Sequence, residues 1–502
     1  MKAAACTLGL DLGTSSAKAV VTDTGGKVLA QAAAGYAVTS TTPGYAESEP
    51  AEWWSAVTAC AREAVYTAGR ATGARPSAIG LSGQMHGLVM ASADGRALRP
   101  ALLWADSRAT GPLRAYRLLG LQALARLANP LAPGMTGPML KWIAENEPRI
   151  YQDTRWALSP KDWIRARLTG EFHAEPSDAS ATLLYDLIGD RWDLEVVSAL
   201  GLDASLLAPV LPSAGALAGH LTADAATELG LPAGIPVAAG AGDTAAAALG
   251  SGIVASGIER SGDVQLTVGT GGQVIRPLTA PVSRADSGIN LYRSATPDGW
   301  YQMGATISAG LSLNWVREIM NATWDELYAS ADQPSQPGRD PIFVPHLSGE
   351  RTPYCDPALR GSWTGLSLAD DRASLLRSAL EGVAFAIRDA LDALLGEPLS
   401  GEQGPSYLRL AGGGTLAAGW RQLLADVLGL PLHAVDVPAA SGRGAALLGA
   451  VAASLLSFDD IQGPLAPPAG LVAEPDPAMT ACHAERQARF RRIVSALGGP
   501  PD

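Results

Sequence analysis

Thr7-Leu-Gly-Leu-Asp11-Leu-Gly13-Thr14-Ser15-Ser16-Ala-Lys18-Ala-Val-Val-Thr22 is the stretch on which the fold turns. Thr7 to Leu12 reads as a buried strand and Ala17 to Thr22 as a second strand of alternating character, with a turn of small residues between them. Glycine in that turn allows close backbone approach, so the amides and hydroxyls of Gly13, Thr14 and Ser15 can face an anion. Asp11, at the strand end, is suited to hold a hydrated Mg2+ against the same phosphates. An ordinary hairpin with a turn-capping aspartate would use the same residues.

Outward from this hairpin, Asp23 to Gly26 is a further turn before Lys27 to Ala34. Glu52 to Ala68 has helical periodicity through Trp53, Val57, Cys60, Ala64 and Ala68. Ile79 to Gln84 reads as a short strand ending in a loop, and strands and helices then alternate, which makes the class α/β. Pro236 to Gly240 is a short strand running into Ala241-Gly-Asp243, and an alanine-rich helix follows from Thr244 to Leu249. A second hairpin, Val264 to Val268, Gly269-Thr270-Gly271-Gly272, then Gln273 to Ile275, resembles the first in outline. Two such hairpins suggest an internal duplication, with domains at 1–250 and 251–502. Ala373 to Leu395 is an amphipathic helix, Tyr407 to Ala411 a strand, Gly412 to Gly414 a tight turn and Leu416 to Leu428 a helix. Gly463 to Pro477 is proline-rich and reads as loop, and Pro477 to Leu497 closes the chain as a polar helix.

A chain of 502 residues exceeds one hydrophobic core, and 47% hydrophobic against 17% charged residues argues against disorder. A formal net charge of −12 disfavours a nucleic-acid-binding surface or a polybasic membrane patch. The four cysteines, Cys6, Cys60, Cys355 and Cys482, have no metal-like spacing and fit reduced thiols in the cytoplasm. The apolar start runs straight into Asp11 and reads as a strand, not a leader, and no apolar run is long enough to span a membrane.

The chemistry-bearing residues are few. Asp243 at a helix start is a cap or, alternatively, a general base taking a proton from an attacking hydroxyl. Gln84-Met85-His86-Gly87 ends a strand with groups that could meet a sugar, although a lone histidine is often structural. Asp106 and Arg108, in Trp104-Ala-Asp106-Ser-Arg108, could hold a polyol or simply pair with each other. Gly412 to Gly414 before a helix could cradle a nucleotide. A Walker-type phosphate loop, a strand-linked dinucleotide fingerprint, a zinc-protease helix and a serine-hydrolase elbow are all absent.

Their order along the chain resembles a known family. Leu8 to Lys18 is similar to the first phosphate loop of the actin, hexokinase and Hsp70 superfamily. Gly44-Tyr-Ala-Glu47-Ser-Glu-Pro50, Gly83-Gln-Met-His86-Gly, Trp104 to Arg108 and Gly240-Ala-Gly-Asp243 follow. Leu347-Ser-Gly-Glu-Arg351-Thr-Pro, Gly361-Ser-Trp-Thr-Gly365-Leu and Gly412 to Leu423 complete a series that resembles the FGGY carbohydrate kinases, xylulokinases among them, over about residues 7–450. The resemblance implies two ribonuclease-H-like, actin-like ATPase domains flanking a central cleft. It implies ATP-dependent phosphorylation of D-xylulose at O5, or of ribulose, a pentitol, gluconate or a related polyol. A non-catalytic sugar or ATP sensor on the same fold is the rival reading.

By that resemblance Asp243 is the catalytic base, and Gln84, Met85, His86, Asp106, Arg108 and Thr244 contact the sugar. Gly13, Thr14, Ser15 and Lys18 with Gly269, Thr270 and Gly271 serve the phosphates, Gly413 and Gly414 lie near the adenosine, and Asp11 assists Mg2+ through water. Sugar and ATP are the expected partners, with neither nucleic acid nor membrane, and a homodimer is one open assembly. The chain departs from the family pattern at Thr244, where asparagine is frequent, and at Gly271, where serine is common. It also departs at Met139 after Pro138, with lysine deferred to Lys141, and at Ser374.

Overall fold

In the computed structural model, which describes residues 5–253, 264–333, 340–396 and 404–498, the opening stretch forms the strand Cys6–Leu12. Every residue of that strand is buried except Asp11. It pairs antiparallel with Ser16–Asp23, which sets Asp11 opposite Lys18, and the third strand, Val28–Gly35, continues the meander. On its other side the opening strand runs parallel to Pro76–Gly83, with Asp11 beside Ser82. Pro236–Ala238 adds a further parallel strand and Leu217–His220 an antiparallel edge. Helix Pro50–Thr72 buries the periodic residues Trp53, Val57, Cys60, Ala64 and Ala68 against this sheet, four residues longer at its C-terminal end than the apolar pattern because Gly73, at φ 70°, supplies the stop.

The second sheet repeats the plan. Gln265–Val268, Gly272–Leu278 and Trp300–Thr306 form an antiparallel meander, extended by Asn290–Arg293. Gln265–Val268 then runs parallel to Leu408–Ala411, which runs parallel to Leu432–Val435. Both sheets therefore run an antiparallel meander into two parallel strands and an antiparallel edge, the meander having three strands in the first sheet and four in the second. That edge in the second sheet is Ala469–Ala473, inside the segment expected to be loop. Pro464, Pro467 and Pro468 precede the strand and Pro475 and Pro477 follow it, so none interrupts it, and an edge position tolerates such neighbours because one side needs no donors.

The helix Ala440–Ala452 carried no expectation from sequence. It follows the second sheet's Leu432–Val435 yet packs against the first sheet and against helix Asp243–Gly250. Glycines make the approach possible. A Cβ on Gly9 would lie 2.0 Å from the Gly442 carbonyl oxygen, one on Gly80 1.8 Å from that of Ala445, and one on Gly444 1.9 Å from that of Ala246. Arg443 on this helix donates to the carbonyls of Gly26 and Leu465, tying the first hairpin to the chain's last third. Among the described residues no helix is long and apolar enough to cross a membrane.

Candidate active site

The carboxyl ends of parallel strands are where open α/β sheets bind ligands, because the chain diverges there and leaves backbone groups free. In the first sheet those ends carry Asp11, Gln84 and, through the short strand Ala241–Gly242 beside Ser82 and Gly83, Asp243. Ser82 Oγ donates to Asp11 Oδ1 at 2.9 Å. Burial raises the Asp11 carboxyl above its usual range, against the Ser82 hydrogen bond and the Lys18 charge.

Asp243 is the first residue of helix Asp243–Gly250 and accepts from the Thr244 amide at 2.7 Å. Burial, and then the charge of Asp11, push its carboxyl up to about 6, while the Thr244 hydrogen bonds oppose the shift. A carboxylate at that value is ionised at neutral pH and still basic enough to take a proton. The Thr244 hydroxyl lies 3.3 Å from Asp243 Oδ1, so it is turned toward the acid.

Gln84, Met85 and His86 continue from Pro76–Gly83. The Gln84 amide nitrogen of the backbone donates to Leu12 O, whereas both atoms of its side-chain amide are buried without a partner among the described residues. Met85 Sδ lies 3.7 Å from the Tyr301 hydroxyl, and a Cβ on Gly242 would lie 2.8 Å from Met85 Cγ. His86 adopts φ 70°, and its Nδ1 sits 2.8 Å from Ala181 O. Burial lowers its pKa to about 4, the Ala181 contact opposing and the Arg351 charge assisting. The ring is therefore neutral, with the proton on Nδ1 and a free acceptor at Nε2. Its ring centroid lies 5.8 Å from that of Tyr292, whose buried hydroxyl also lacks a partner among the described residues.

A cavity of about 790 Å3 opens at Asp11, lined also by Lys18, Gly412, Gly413, Arg421 and Asp436 among others. In the first hairpin turn Gly13 N bonds Ser16 O at 3.0 Å, and the Tyr36 hydroxyl donates to Gly13 O. Thr14 Oγ1 receives the Trp104 indole N–H at 3.0 Å, and Ser15 is exposed. In the second turn the carbonyls of Gly269 and Thr270 accept from Gly310 and Leu311, anchoring the turn to the start of helix Gly310–Ile319. A Cβ at Gly271 would lie 2.6 Å from Thr306 O, which is why a hydroxyl-bearing residue does not fit there. Gly412 takes φ 91°, and a Cβ on Gly414 would meet Val268 O at 2.7 Å.

Asp106 and Arg108 are not brought to this cluster as free groups. Arg108 is bidentate on Asp106, also pairs with Glu47 at 2.8 Å, and lies with its guanidinium 3.6 Å from the Tyr45 ring centroid. Asp106 further accepts from the Ala46 amide. With side chains 0% and 3% exposed, neither presents an atom to a ligand. The sequence reading also passed over Ser82 and Tyr292. Ser82 was recoverable from its place in the strand beside Asp11; a lone tyrosine far along the chain carries no such signal.

Two family models match the chain. The N-terminal domain of the FGGY family of carbohydrate kinases matches residues 6–250, and the C-terminal domain of that family matches residues 264–453. The chain belongs to the FGGY family of carbohydrate kinases. This kinase is 31% identical over 498 residues to the xylulose kinase of Escherichia coli, covering 98% of the chain and 99% of that relative. It is 30% identical over 448 residues to the xylulose kinase of Bacillus subtilis, covering 88% and 87%. Its fold superposes on the crystal structure of a xyloylose kinase from Brucella ovis with TM-score 0.88 and 35% identity, over 98% of this kinase and 99% of that chain. It is an ATP-dependent carbohydrate kinase with a two-domain α/β fold.

Proposed function

We propose that the kinase transfers the γ-phosphoryl group of ATP to the O5 hydroxyl of D-xylulose. The observation that carries this reading is the placement of Asp243: ionisable near neutrality, close enough to feel the charge of Asp11, which lines the cavity, and directly after Gly242, which pairs with Gly83 at the start of Gln84-Met85-His86. The similarity to xylulose kinases over nearly the whole chain supports the choice of sugar.

In this reading Asp243 accepts the O5 proton as that oxygen attacks the γ-phosphorus and the bond to the β-γ bridging oxygen breaks, leaving ADP. His86 Nε2 accepts from a sugar hydroxyl, the Gln84 amide pairs with another, and Met85 packs against the carbon chain. Thr244 borders the sugar through its methyl. Backbone amides of Thr14 and Ser15 and of Thr270 and Gly271 face the phosphates together with Lys18, Gly13 and Gly269 shape the two turns with their own amides bonded inside them, and Gly413 and Gly414 border the adenosine. Among the described residues no group of three or more acidic, histidine or cysteine side chains could cage a metal. Asp11, with one oxygen taken by Ser82, would hold a hydrated Mg2+ through its other oxygen. Such an ion would neutralise phosphate charge. A cytoplasmic location, supported by four free cysteines, and a homodimeric assembly belong to the same reading.

The Thr244 hydroxyl, turned to Asp243 where an asparagine amide would reach outward, favours a second reading with ribulose, a pentitol or gluconate as acceptor. A panel of ketoses and polyols in a coupled ADP-release assay separates the two. D-xylulose should give the highest kcat/KM; turnover of another polyol without xylulose overturns the first reading.

A further inference from the structure

Beneath the site lies a charge cluster that transfer chemistry does not use. Lys161, Asp162, Arg165, Glu175 and Asp178 have side chains no more than 2% exposed. Lys161 Nζ lies 2.6 Å from Asp162, 3.2 Å from Asp178 and 3.5 Å from Glu175, and Arg165 bonds Asp162 at 2.6 Å. Five ionisable groups out of water are an expensive way to stabilise a fold, since apolar residues of similar volume usually do at least as well.

The cluster grips the segment that delivers the base at two backbone points. Arg165 Nη1 donates to Ala239 O at 2.7 Å. At the other end the Gly242 amide, immediately before Asp243, donates to Ser177 Oγ at 2.9 Å. Ser177 Oγ in turn donates to Glu175 Oε1 at 2.7 Å, so its own proton is committed and a lone pair is left for Gly242. Glu175 is itself fixed by the amides of Ser177 and Asp178 at 2.9 Å each. Between the two grips Gly240 adopts φ 82°, with its own amide bonded to Ala214 O at 2.9 Å and the short strand Ala241–Gly242 paired beside Ser82 and Gly83.

We propose that Ser177, held by the buried cluster, is a positioning residue: its hydroxyl fixes the Gly242 amide and thereby the direction in which Asp243 enters the cleft. The proposal rests on Asp243 being the base. Ser177 Oγ has both its proton and an acceptor site engaged within the protein, and it reaches Asp243 through the Gly242 backbone. A misplacement of the base of even a fraction of an ångström falls on turnover, because it changes the approach to O5 without changing what holds the sugar.

The test uses the full-length kinase with Ser177→Ala, Ser177→Thr and Asp243→Ala. Turnover is normalised to sites that bind xylulose by calorimetry, so any misfolded fraction drops out. Ser177→Ala should lower kcat about 10- to 100-fold, with KM for sugar and for ATP within about twofold of the parent. Ser177→Thr keeps the oxygen and should recover most of that loss. Unchanged kcat per competent site in Ser177→Ala overturns the proposal, as does a KM increase that accounts for the whole effect, or a threonine variant as slow as the alanine one. An inactive Asp243→Ala beside a normal Ser177→Ala sinks the positioning role alone, whereas a fully active Asp243→Ala sinks the assignment of the base.

Discussion

Replacing Asp243 by asparagine should make the kinase more stable while stopping its chemistry. Asparagine keeps an oxygen for the Thr244 amide, which lies 2.7 Å from Oδ1, so the hydrogen bond survives and only the charge is lost. The folded carboxyl sits at about 6 against an ordinary 3.8, because burial and Asp11 both disfavour its ionised form. The stability that the protonated form provides is present below pH 3.8 and is lost as pH rises through 6. Two pKa units correspond to at most about 3 kcal/mol at pH 8, where both folded and unfolded forms are ionised. For a unit of some 250 residues this is a rise of about 6 °C in the melting midpoint. Thermal unfolding of parent and Asp243→Asn at pH 4.5 and pH 8 reads it directly, and the gap between them should open at the higher pH. A variant no more stable than the parent at pH 8, or a gap of equal size at both values, refutes the electrostatic account.

Other expectations follow from the same geometry. The kcat/KM of the parent should fall about tenfold per pH unit below 6 and level off above it, since the base of the free enzyme must be ionised; a flat profile from pH 5 to 8 would contradict the assignment. Gly9→Ala should lower the melting midpoint by several degrees or prevent folding, because its Cβ would lie 2.0 Å from the Gly442 carbonyl oxygen. Arg108→Ala should destabilise the protein by about 3 kcal/mol or more, by leaving Asp106 buried and unpaired, while the sugar KM of the remaining folded enzyme stays near the parent value. A KM raised tenfold at full stability would return Arg108 to the sugar site.

Both hairpins were legible because a glycine turn between strands of period two is a local signal, complete within about sixteen residues. Asp243 was legible as a candidate for a similar reason: a small-residue strand, an acid and a helix follow one another without a gap. The helix Ala440–Ala452 was not, because it is packed on nearly every side and so shows no apolar stripe to read. Asp106 and Arg108 were legible as a pair, but the ring and carboxylate that also occupy Arg108 come from Tyr45 and Glu47, some sixty residues earlier, and were not. Ser177 was beyond reach: its partner is an amide 65 residues downstream, and no pattern in the chain announces such a bond.

The backbone-to-backbone seam of Ala440–Ala452 against Gly9 and Gly80 also orders events at the ribosome. Chains are made from the N-terminus, and early units usually fold as they emerge. Here the first sheet has all its strands once residue 242 has been made, yet one of its faces waits for a helix nearly two hundred residues away. Until that helix arrives the nascent chain carries an uncovered apolar sheet. The two halves of this kinase are thus duplicates in plan but not independent in birth, and cutting the gene between them would leave the first half with a face that only the second can cover.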